Sequence, residues 1–360
     1  MKALRMVAVG APLELQEVPA PALDLDGEKD HNQVIVRVRA CGLCGTDLHH
    51  LRGTARVGRL PVTLGHEIAG VVEEVGPAVT SGRLSVPSLR EGDRVVVHNV
   101  IYCGECRACR RGRYNFCSNQ LMFGRDVDGG LAEFLKVPAR NLVRLPENVT
   151  FPEGAILGCG VVTAFHALQL AAIRTGEAIA VWGVGGVGLA LVHLAREVSG
   201  AYPIIALDRK EHLLELAGDL GADHAIDVTR EDPVGRVLAL TEGEGAEVTF
   251  DTAGITEVSP SGAILTLEST CSGGHVIVVA TYPEAVRIQP HDELGIFEKK
   301  FTGSCGNLPH ELADLATLVA GRRRLDLVKL IGRNVGLEDV NEVLDGWETA
   351  GSVGRVVVTL

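Results

Sequence analysis

The first third of the chain shows the hydrophobic pattern of short β-strands. Residues 34–39, 69–75 and 94–98 are runs rich in β-branched side chains, and Gly, Pro or Asp lies at their ends. Short runs of this kind, separated by turn residues, predict a β-rich domain. The polar stretch 76–92, which contains two prolines, predicts a surface loop.

From about residue 157 the pattern changes to alternating strands and helices. Short apolar runs predict strands, and the segments between them have the spacing of amphipathic helices. This alternation is typical of a doubly wound parallel sheet in an α/β protein. The predicted strands are 178–182, 203–207, 248–251, 275–280 and 354–360, and the predicted helices are 161–172, 189–198, 210–220, 233–241, 308–320 and 337–348.

The length of 360 residues exceeds the size at which one hydrophobic core stops growing, so we expect two domains. We assign residues 1–160 and 304–360 to one domain and 161–303 to the other. The net charge of −12 argues against a nucleic-acid partner, because phosphate contacts need concentrated Lys and Arg.

One uncharged stretch, 178–195, is long enough to be checked as a membrane span. It carries four glycines, which predict a buried strand, a turn and a buried helix instead. No signal peptide is recognisable. We therefore expect a cytoplasmic protein without a membrane partner.

Four of the nine cysteines have the spacing C-x2-C-x2-C-x7-C within a lobe at about 98–120. Four thiolates complete the tetrahedral shell of zinc and leave no position for a substrate, so the predicted site is structural. An iron–sulfur cluster is the alternative, but the x7 gap and the lack of a following proline disfavour it. The predicted ligands are Cys103, Cys106, Cys109 and Cys117.

A glycine turn lies between a predicted strand and a predicted helix. The motif G-x-G-x-x-G is weak alone, but here Asp208 follows twenty residues after the last glycine, at the end of the next strand. Such a turn brings the pyrophosphate of a dinucleotide to a helix N-terminus. Asp208 predicts NAD, because its charge would repel the 2′-phosphate of NADP, although Arg209 and Lys210 follow it directly. The expected cofactor-binding residues of the turn are Gly183, Gly185, Gly186, Val187 and Gly188.

Four motifs in this order carry a resemblance to a known family. They are the Cys-Gly-Thr-Asp-x-His segment that begins at Cys44, the Gly-His-Glu segment at 65–67, the four-cysteine lobe and the glycine turn. The chain resembles the zinc-containing alcohol dehydrogenases of the medium-chain dehydrogenase/reductase family over essentially its whole length. The resemblance implies a β-rich GroES-like catalytic domain and a Rossmann domain that binds the cofactor.

The resemblance also implies a second, catalytic zinc site. Single Cys and His residues usually pack in a core, but the family pattern makes Cys44, His66 and Cys159 three ligands, with the fourth position left for the alcohol. Glu67 matches a family residue close to the metal. Asp47 suits a role in orienting His66 through its second ring nitrogen.

Further positions carry over one by one. Thr46 and His49 match the proton relay of the family, in which the hydroxyl takes the substrate proton and the imidazole passes it to solvent. Thr163 matches a residue beside the nicotinamide, and Arg355 matches an arginine at the pyrophosphate. Gly45 departs from several relatives, which carry Arg or His at this position.

The expected activity is reversible hydride transfer between a primary or secondary alcohol and NAD, with two zinc ions per subunit. Cys159, where other relatives have Glu, favours simple alcohols over polyols. The alternatives are a polyol, sugar or amino-alcohol dehydrogenase and a non-catalytic dinucleotide-binding relative. The substrate is expected between the loops 46–59 and 121–126 and Asn99. We expect a homotetramer or homodimer.

Overall fold

The structure is a computed structural model that describes residues 1–26, 30–80, 88–253, 262–282, 285–321, 325–347 and 354–360. The chain divides into two compact units. The first unit comprises Met1–Val162 and Asn307–Leu360, and the second comprises Thr163–Gly306.

The strands and helices of the described residues are numbered in chain order. The strands are β1 Lys2–Met6, β2 Glu14–Glu17, β3 Gln33–Gly42, β4 Val62–Thr63, β5 Glu67–Val75, β6 Arg94–Val97, β7 Val100–Ile101, β8 Leu121–Met122, β9 Phe134–Pro138, β10 Leu142–Arg144, β11 Ile179–Trp182, β12 Ile204–Asp208, β13 His224–Asp227, β14 Ala246–Asp251, β15 Thr270–Val278, β16 Lys300–Gly303, β17 Ile331–Val335 and β18 Arg355–Thr359. The helices are α1 Gly45–Leu51, α2 Pro77–Thr80, α3 Phe151–Ile156, α4 Val162–Ala171, α5 Gly186–Val198, α6 Glu211–Asp219, α7 Pro233–Leu240, α8 Gly262–Glu268, α9 Pro309–Ala320 and α10 Val340–Asp345.

A largely antiparallel sheet forms the centre of the first unit. Its described strands follow the order β10-β6-β5-β3-β18-β17, and β9 also pairs with β3. Val34, Val36 and Val38 of β3 are buried in the core, whereas Arg37 and Arg39 point outward. This alternation is the period of two that the β-branched run predicts.

The register of three neighbouring strands brings distant residues together. β3 and β5 are antiparallel and pair Gly42 with Glu67, so the end of β3 meets the start of β5. A Cβ atom on Gly42 would lie 2.1 Å from a carboxylate oxygen of Glu67, so the close approach requires glycine. β18 pairs with the same end of β3 and begins at Arg355.

A π-helical turn, Leu157–Val161, joins α3 to α4 and carries Cys159. Glycines flank the cysteine on both sides, and a Cβ on Gly160 would lie 2.1 Å from the guanidinium of Arg355. The continuous helical stretch Phe151–Ala171 is long and apolar enough to cross a membrane. However, 78% of its most apolar window is buried, as in the core helix of a globular protein.

A parallel sheet forms the centre of the second unit. Its described strands have the order β13-β12-β11-β14-β15-β16. All neighbouring pairs are parallel. This is the 3-2-1-4-5-6 order of a Rossmann fold, in which the ligand binds where the strand order reverses. The reversal lies between β11 and β14, and the glycine turn follows β11 directly.

The predicted doubly wound parallel sheet is confirmed, but the sequence pattern did not predict two of its strands, β13 and β16. β13 contains one fully buried residue, Ile226, and β16 contains none. Both strands lie at sheet edges, where half of the surface stays in solvent and the apolar signal is weak.

Two element boundaries also differ from the prediction. β15 begins five residues earlier than predicted, because its first five residues are polar or glycine and carry no strand pattern. The predicted helix 337–348 is shorter: a 3-10 turn precedes α10, and residue 348 lies outside the described residues.

The glycine turn makes a testable distinction between two glycines. A Cβ on Gly188 would lie 2.1 Å from the carbonyl oxygen of Gly183, whereas a Cβ on Gly185 would meet nothing within 4 Å. We expect Gly188→Ala to lower the melting temperature by about 5 °C, because overpacking costs about 1–3 kcal/mol. Gly185→Ala should change stability by less than about 0.5 kcal/mol. Equal losses in the two variants, measured by calorimetry, would contradict this account.

Candidate metal centres and cofactor site

A buried cluster of metal-binding side chains lies at the junction of β3, β5 and the π-helical turn. The ligand atoms of Cys44, His66, Glu67 and Cys159 all lie within 4.8 Å of one another. His66 is 1% exposed and Glu67 is fully buried. The three predicted catalytic ligands, which are far apart in the chain, therefore meet at one point.

The imidazole of His66 is held with one nitrogen toward the cluster. Its Nδ1 lies 3.3 Å from Oδ1 of the buried Asp47. Asp47 is fixed in turn by the backbone N–H groups of Cys44, at 2.9 Å, and Gly65, at 3.2 Å. Burial lowers the pKa of His66, but the Asp47 carboxylate outweighs burial and the pKa lies well above its usual value. Nε2 has no hydrogen-bond partner within the described residues, which is the arrangement of a metal-binding histidine.

The pKa values of the two cysteines of the cluster move in opposite directions. A hydrogen bond with Cys159 is the largest cause that moves the pKa of Cys44 well below its usual value, and Arg355 and His66 act in the same direction. The same hydrogen bond, together with burial, raises the pKa of Cys159. Two sulfurs and one imidazole nitrogen are a donor set that zinc prefers, so these residues fit a catalytic zinc ion.

Glu67 and Arg355 form a buried ion pair beside the cluster. Oε1 of Glu67 lies 3.2 Å from a terminal nitrogen of Arg355, and these side chains are 0% and 9% exposed. Burial raises the pKa of Glu67 to about 8, although Arg355 opposes the shift. The guanidinium that the resemblance assigns to the pyrophosphate is thus found against the carboxylate of the metal cluster.

The two expected relay residues lie on α1, directly after Cys44. The Thr46 hydroxyl is half-buried and 3.6 Å from the sulfur of Cys44. His49 is exposed, and its Nδ1 lies 2.9 Å from the hydroxyl of Thr54. The Thr46 hydroxyl thus lies near the cluster, and the His49 imidazole lies at the surface.

The four lobe cysteines form a second cluster, with ligand atoms within 4.8 Å of one another. The sulfur of Cys103 lies 3.9 Å from that of Cys109 and 3.5 Å from that of Cys117. Zinc–sulfur bonds of about 2.3 Å in a tetrahedron require sulfur–sulfur separations of roughly 3.8 Å. The lobe therefore has the dimensions of a four-thiolate zinc site.

Backbone N–H groups favour the thiolate form in this lobe. The N–H groups of Cys109 and Ser118 lower the pKa of Cys106 to about 6. Arg140, which the sequence analysis did not select, donates to the carbonyl of Cys103 at 3.3 Å and stacks over Tyr102 at 5.0 Å. Its sequence position, between β9 and β10, gives no signal of this contact.

Asp208 lies at the end of β12, beside the glycine turn. Its carboxylate accepts hydrogen bonds from the backbone N–H groups of Val184 at 2.9 Å, Arg209 at 2.8 Å and Lys210 at 3.0 Å. Three backbone donors hold this carboxylate in one orientation. The side chain of Arg209 is exposed.

A cavity of about 350 Å³ opens along the carboxyl edge of the parallel sheet. Gly183, Gly185, Asp208 and Arg209 line it, as does the buried Asp251. The expected residue Thr163 is not part of this lining; it is half-buried on α4. Apolar lining residues that the sequence analysis missed are Trp182, Leu207, Leu213, Val228, Pro233 and Leu265. They lie on different strands, helices and loops of the second unit, so only the tertiary fold could have identified them.

Comparisons with known proteins agree with this architecture. The alcohol dehydrogenase GroES-like domain matches residues 30–147. The zinc-binding dehydrogenase model matches residues 186–321. An alcohol dehydrogenase from Geobacillus stearothermophilus is 32% identical, and the match covers 99% of each chain.

Two further proteins extend the comparison. The L-threonine 3-dehydrogenase of Pyrococcus horikoshii is 34% identical, with 100% of this chain and 99% of the relative covered. A solved structure from Sinorhizobium meliloti 1021 with bound NADP has a TM-score of 0.88 at 30% identity, and covers 100% of this chain and 99% of its own. The chain belongs to the zinc-containing alcohol dehydrogenases of the medium-chain dehydrogenase/reductase family, oxidoreductases that use zinc and a nicotinamide dinucleotide.

Proposed function

We propose that the chain catalyses reversible hydride transfer between a primary or secondary alcohol and NAD, giving an aldehyde or a ketone. The observation that carries the proposal is the meeting of Cys44, His66 and Cys159, with an unpartnered His66 nitrogen turned toward the two sulfurs. Zinc held by these residues would act as a Lewis acid that lowers the pKa of the alcohol, and NAD would accept the hydride.

The residues of the chain itself would orient the metal site and move the proton. Asp47 holds the ring of His66, and Arg355 lies 3.2 Å from Glu67 next to the ligands. Thr46 would accept the proton of the substrate hydroxyl, since its hydroxyl is 3.6 Å from Cys44. His49, which is exposed, would then release the proton to solvent.

A polyol, sugar or amino-alcohol dehydrogenase is the second candidate. It is favoured by the 34% identity to an L-threonine 3-dehydrogenase, because threonine is an amino alcohol. The sulfur ligand Cys159 supports the first candidate. In both cases the substrate is a small molecule, and we place the enzyme in the cytoplasm.

Metal analysis of matched cysteine variants tests the two proposed sites. We expect two zinc ions per chain in the wild-type protein and one in each of Cys44→Ser and Cys109→Ser. Cys44→Ser should lose turnover by at least about 1000-fold, since the Lewis acid supplies several kcal/mol, while NADH binding persists. Cys109→Ser should instead lower the melting temperature, because a structural zinc contributes folding energy. One tightly held ion in the wild type, or alcohol oxidation after metal removal, would refute the proposal.

The proposed preference for NAD depends on the carboxylate of Asp208. We expect Asp208→Gly to raise the ratio of kcat/KM with NADP to that with NAD by about tenfold or more, because like charges placed together are costly. Asp223→Gly is the matched control. Asp223 accepts from the N–H of Ile204 at the opposite end of the same strand, and its removal should leave the ratio unchanged. An unchanged ratio in Asp208→Gly would remove this residue from cofactor selection.

We also propose that the chain forms a homo-oligomer through the β16 side of the parallel sheet. β16 pairs with β15 on one side, and the adjacent Ile296 and Phe297 are 60% and 45% exposed. An edge strand beside exposed apolar side chains is a natural pairing surface. Light scattering should give a multiple of the chain mass, and Ile296→Glu should shift the protein toward monomer. A monomeric wild-type protein would contradict the proposal.

A further inference from the structure

We infer that the four-cysteine lobe carries a further ligand site, a pocket of arginines that binds a small organic phosphate. The pocket is a cavity of about 390 Å³ in the first unit. Its wall includes Arg107, Arg111 and Arg113, together with Cys106, Phe116 and Ser118. These residues lie outside the catalytic metal cluster and the cofactor cavity, so the inference does not depend on the proposed hydride transfer.

The local backbone turns the three arginines toward the same space. The N–H of Arg111 bonds the carbonyl of Ala108 in a helical turn, and Arg107 precedes Arg111 by four residues, so the two side chains share one face. Gly112 then adopts a left-handed conformation, with a φ of 73°. This reversal returns the N–H of Arg113 to the same carbonyl of Ala108, at 3.0 Å. The third arginine therefore lies beside the other two.

The pocket carries a positive charge that its neighbours do not balance. Among the residues that the structure describes, no carboxylate forms an ion pair with any of the three guanidinium groups, whereas Arg144, for example, lies 3.0 Å from Asp93. Residues 103–118 contain four arginines and a single acidic residue, Glu105. Four thiolates around a divalent zinc ion would offset only part of this charge. An anion in the pocket would therefore be bound favourably.

The charge of the whole chain and the size of the pocket indicate a small molecule. The net charge of the chain is −12, so the surface outside the lobe repels a nucleic acid or an anionic membrane. A cavity of about 390 Å³ has the size of a small-molecule site, for which about 300–1000 Å³ is usual. An inorganic phosphate ion would fill only part of it. The ligand therefore has a carbon skeleton as well as a phosphate group.

Arg113 and Phe116 provide for both parts of such a ligand. The guanidinium of Arg113 stacks on the ring of Phe116, 4.6 Å from its centroid. Stacking fixes the plane of the guanidinium and leaves its N–H groups free for two parallel hydrogen bonds to a phosphate. Phe116 is 47% exposed, so its ring also offers an apolar surface to the carbon skeleton. A phosphate has enough oxygen atoms to contact Arg107 and Arg111 as well, whereas a carboxylate has only two.

Titration calorimetry with phenyl phosphate tests the inference. The zinc-loaded protein is first saturated with NADH, which fills the proposed cofactor cavity, so that only a further site is observed. We expect one phenyl phosphate per chain, bound about tenfold or more tightly than benzoate, which has the same ring but a carboxylate. Arg107→Gln and Arg111→Gln should each weaken the binding by about tenfold, because each loses charge-assisted hydrogen bonds. Phe116→Leu should reduce the affinity for phenyl phosphate to that for inorganic phosphate.

The matched control is Arg110→Gln, which removes the same charge from the same turn. Arg110 is not part of the pocket lining, and its Nε donates to the carbonyl of Glu105 at 2.6 Å. This variant should weaken the binding by less than about threefold, because an exposed charge outside the pocket contributes little. Since Arg110 is as close to the cysteines as the pocket arginines are, damage to the lobe would appear in the control as well.

Three results would overturn the inference. The first is an absence of binding when NADH is present. The second is an equal loss in Arg110→Gln and Arg111→Gln, because the general charge of the lobe is then the cause. The third is a lower oligomer mass of Arg111→Gln in light scattering, because the pocket then holds an acidic segment of a second copy. Failure to oxidise any alcohol would refute the proposed function but not this site, because binding is measured without turnover.

Discussion

The pairing of β3 with β5 is the constraint on which the metal cluster depends. The two strands pair Gly42 with Glu67, so Cys44, just beyond the end of one strand, meets His66, just before the start of the other. A slip of one residue would turn Glu67 and its neighbours to the opposite face of the sheet. The absence of a side chain at Gly42 lets the Glu67 carboxylate occupy that space. Backbone hydrogen bonds in the core of the first unit thus determine the geometry of the ligands.

Buried charges around this cluster hold one another in place. Asp47 orients His66, and Arg355 contacts Glu67, in surroundings that exclude water almost completely. Removing one partner of a buried ion pair costs about 3–5 kcal/mol, because the remaining charge is uncompensated. Two thiolates and a neutral imidazole would cancel the charge of a zinc ion.

In the second unit, the strand order of the parallel sheet determines where the cofactor cavity lies. A parallel sheet collects the carboxyl ends of its strands at one edge, and the reversal of strand order between β11 and β14 opens a crevice there. Gly188 and Gly183 pack tightly against the backbone, while Gly185 leaves open space at the start of α5. A pyrophosphate at a helix N-terminus needs such open space on the side of Gly185 and a tightly packed turn that holds the backbone N–H groups in place.

The sequence alone predicted the four-cysteine lobe, the glycine turn with Asp208 and the parallel sheet. Each of these features depends on residues that are close together in the chain. The edge strands β13 and β16 gave no signal, since they bury few side chains. The resemblance supplied Cys44, His66 and Cys159 as a set, but their distances from one another come from strand register. Only the tertiary structure could pair Arg355 with Glu67, line the cavity with Trp182 and Leu265, and separate the buried His50 from the exposed His49. Burial and long-range contacts decide these features, and adjacent residues in a sequence do not encode them.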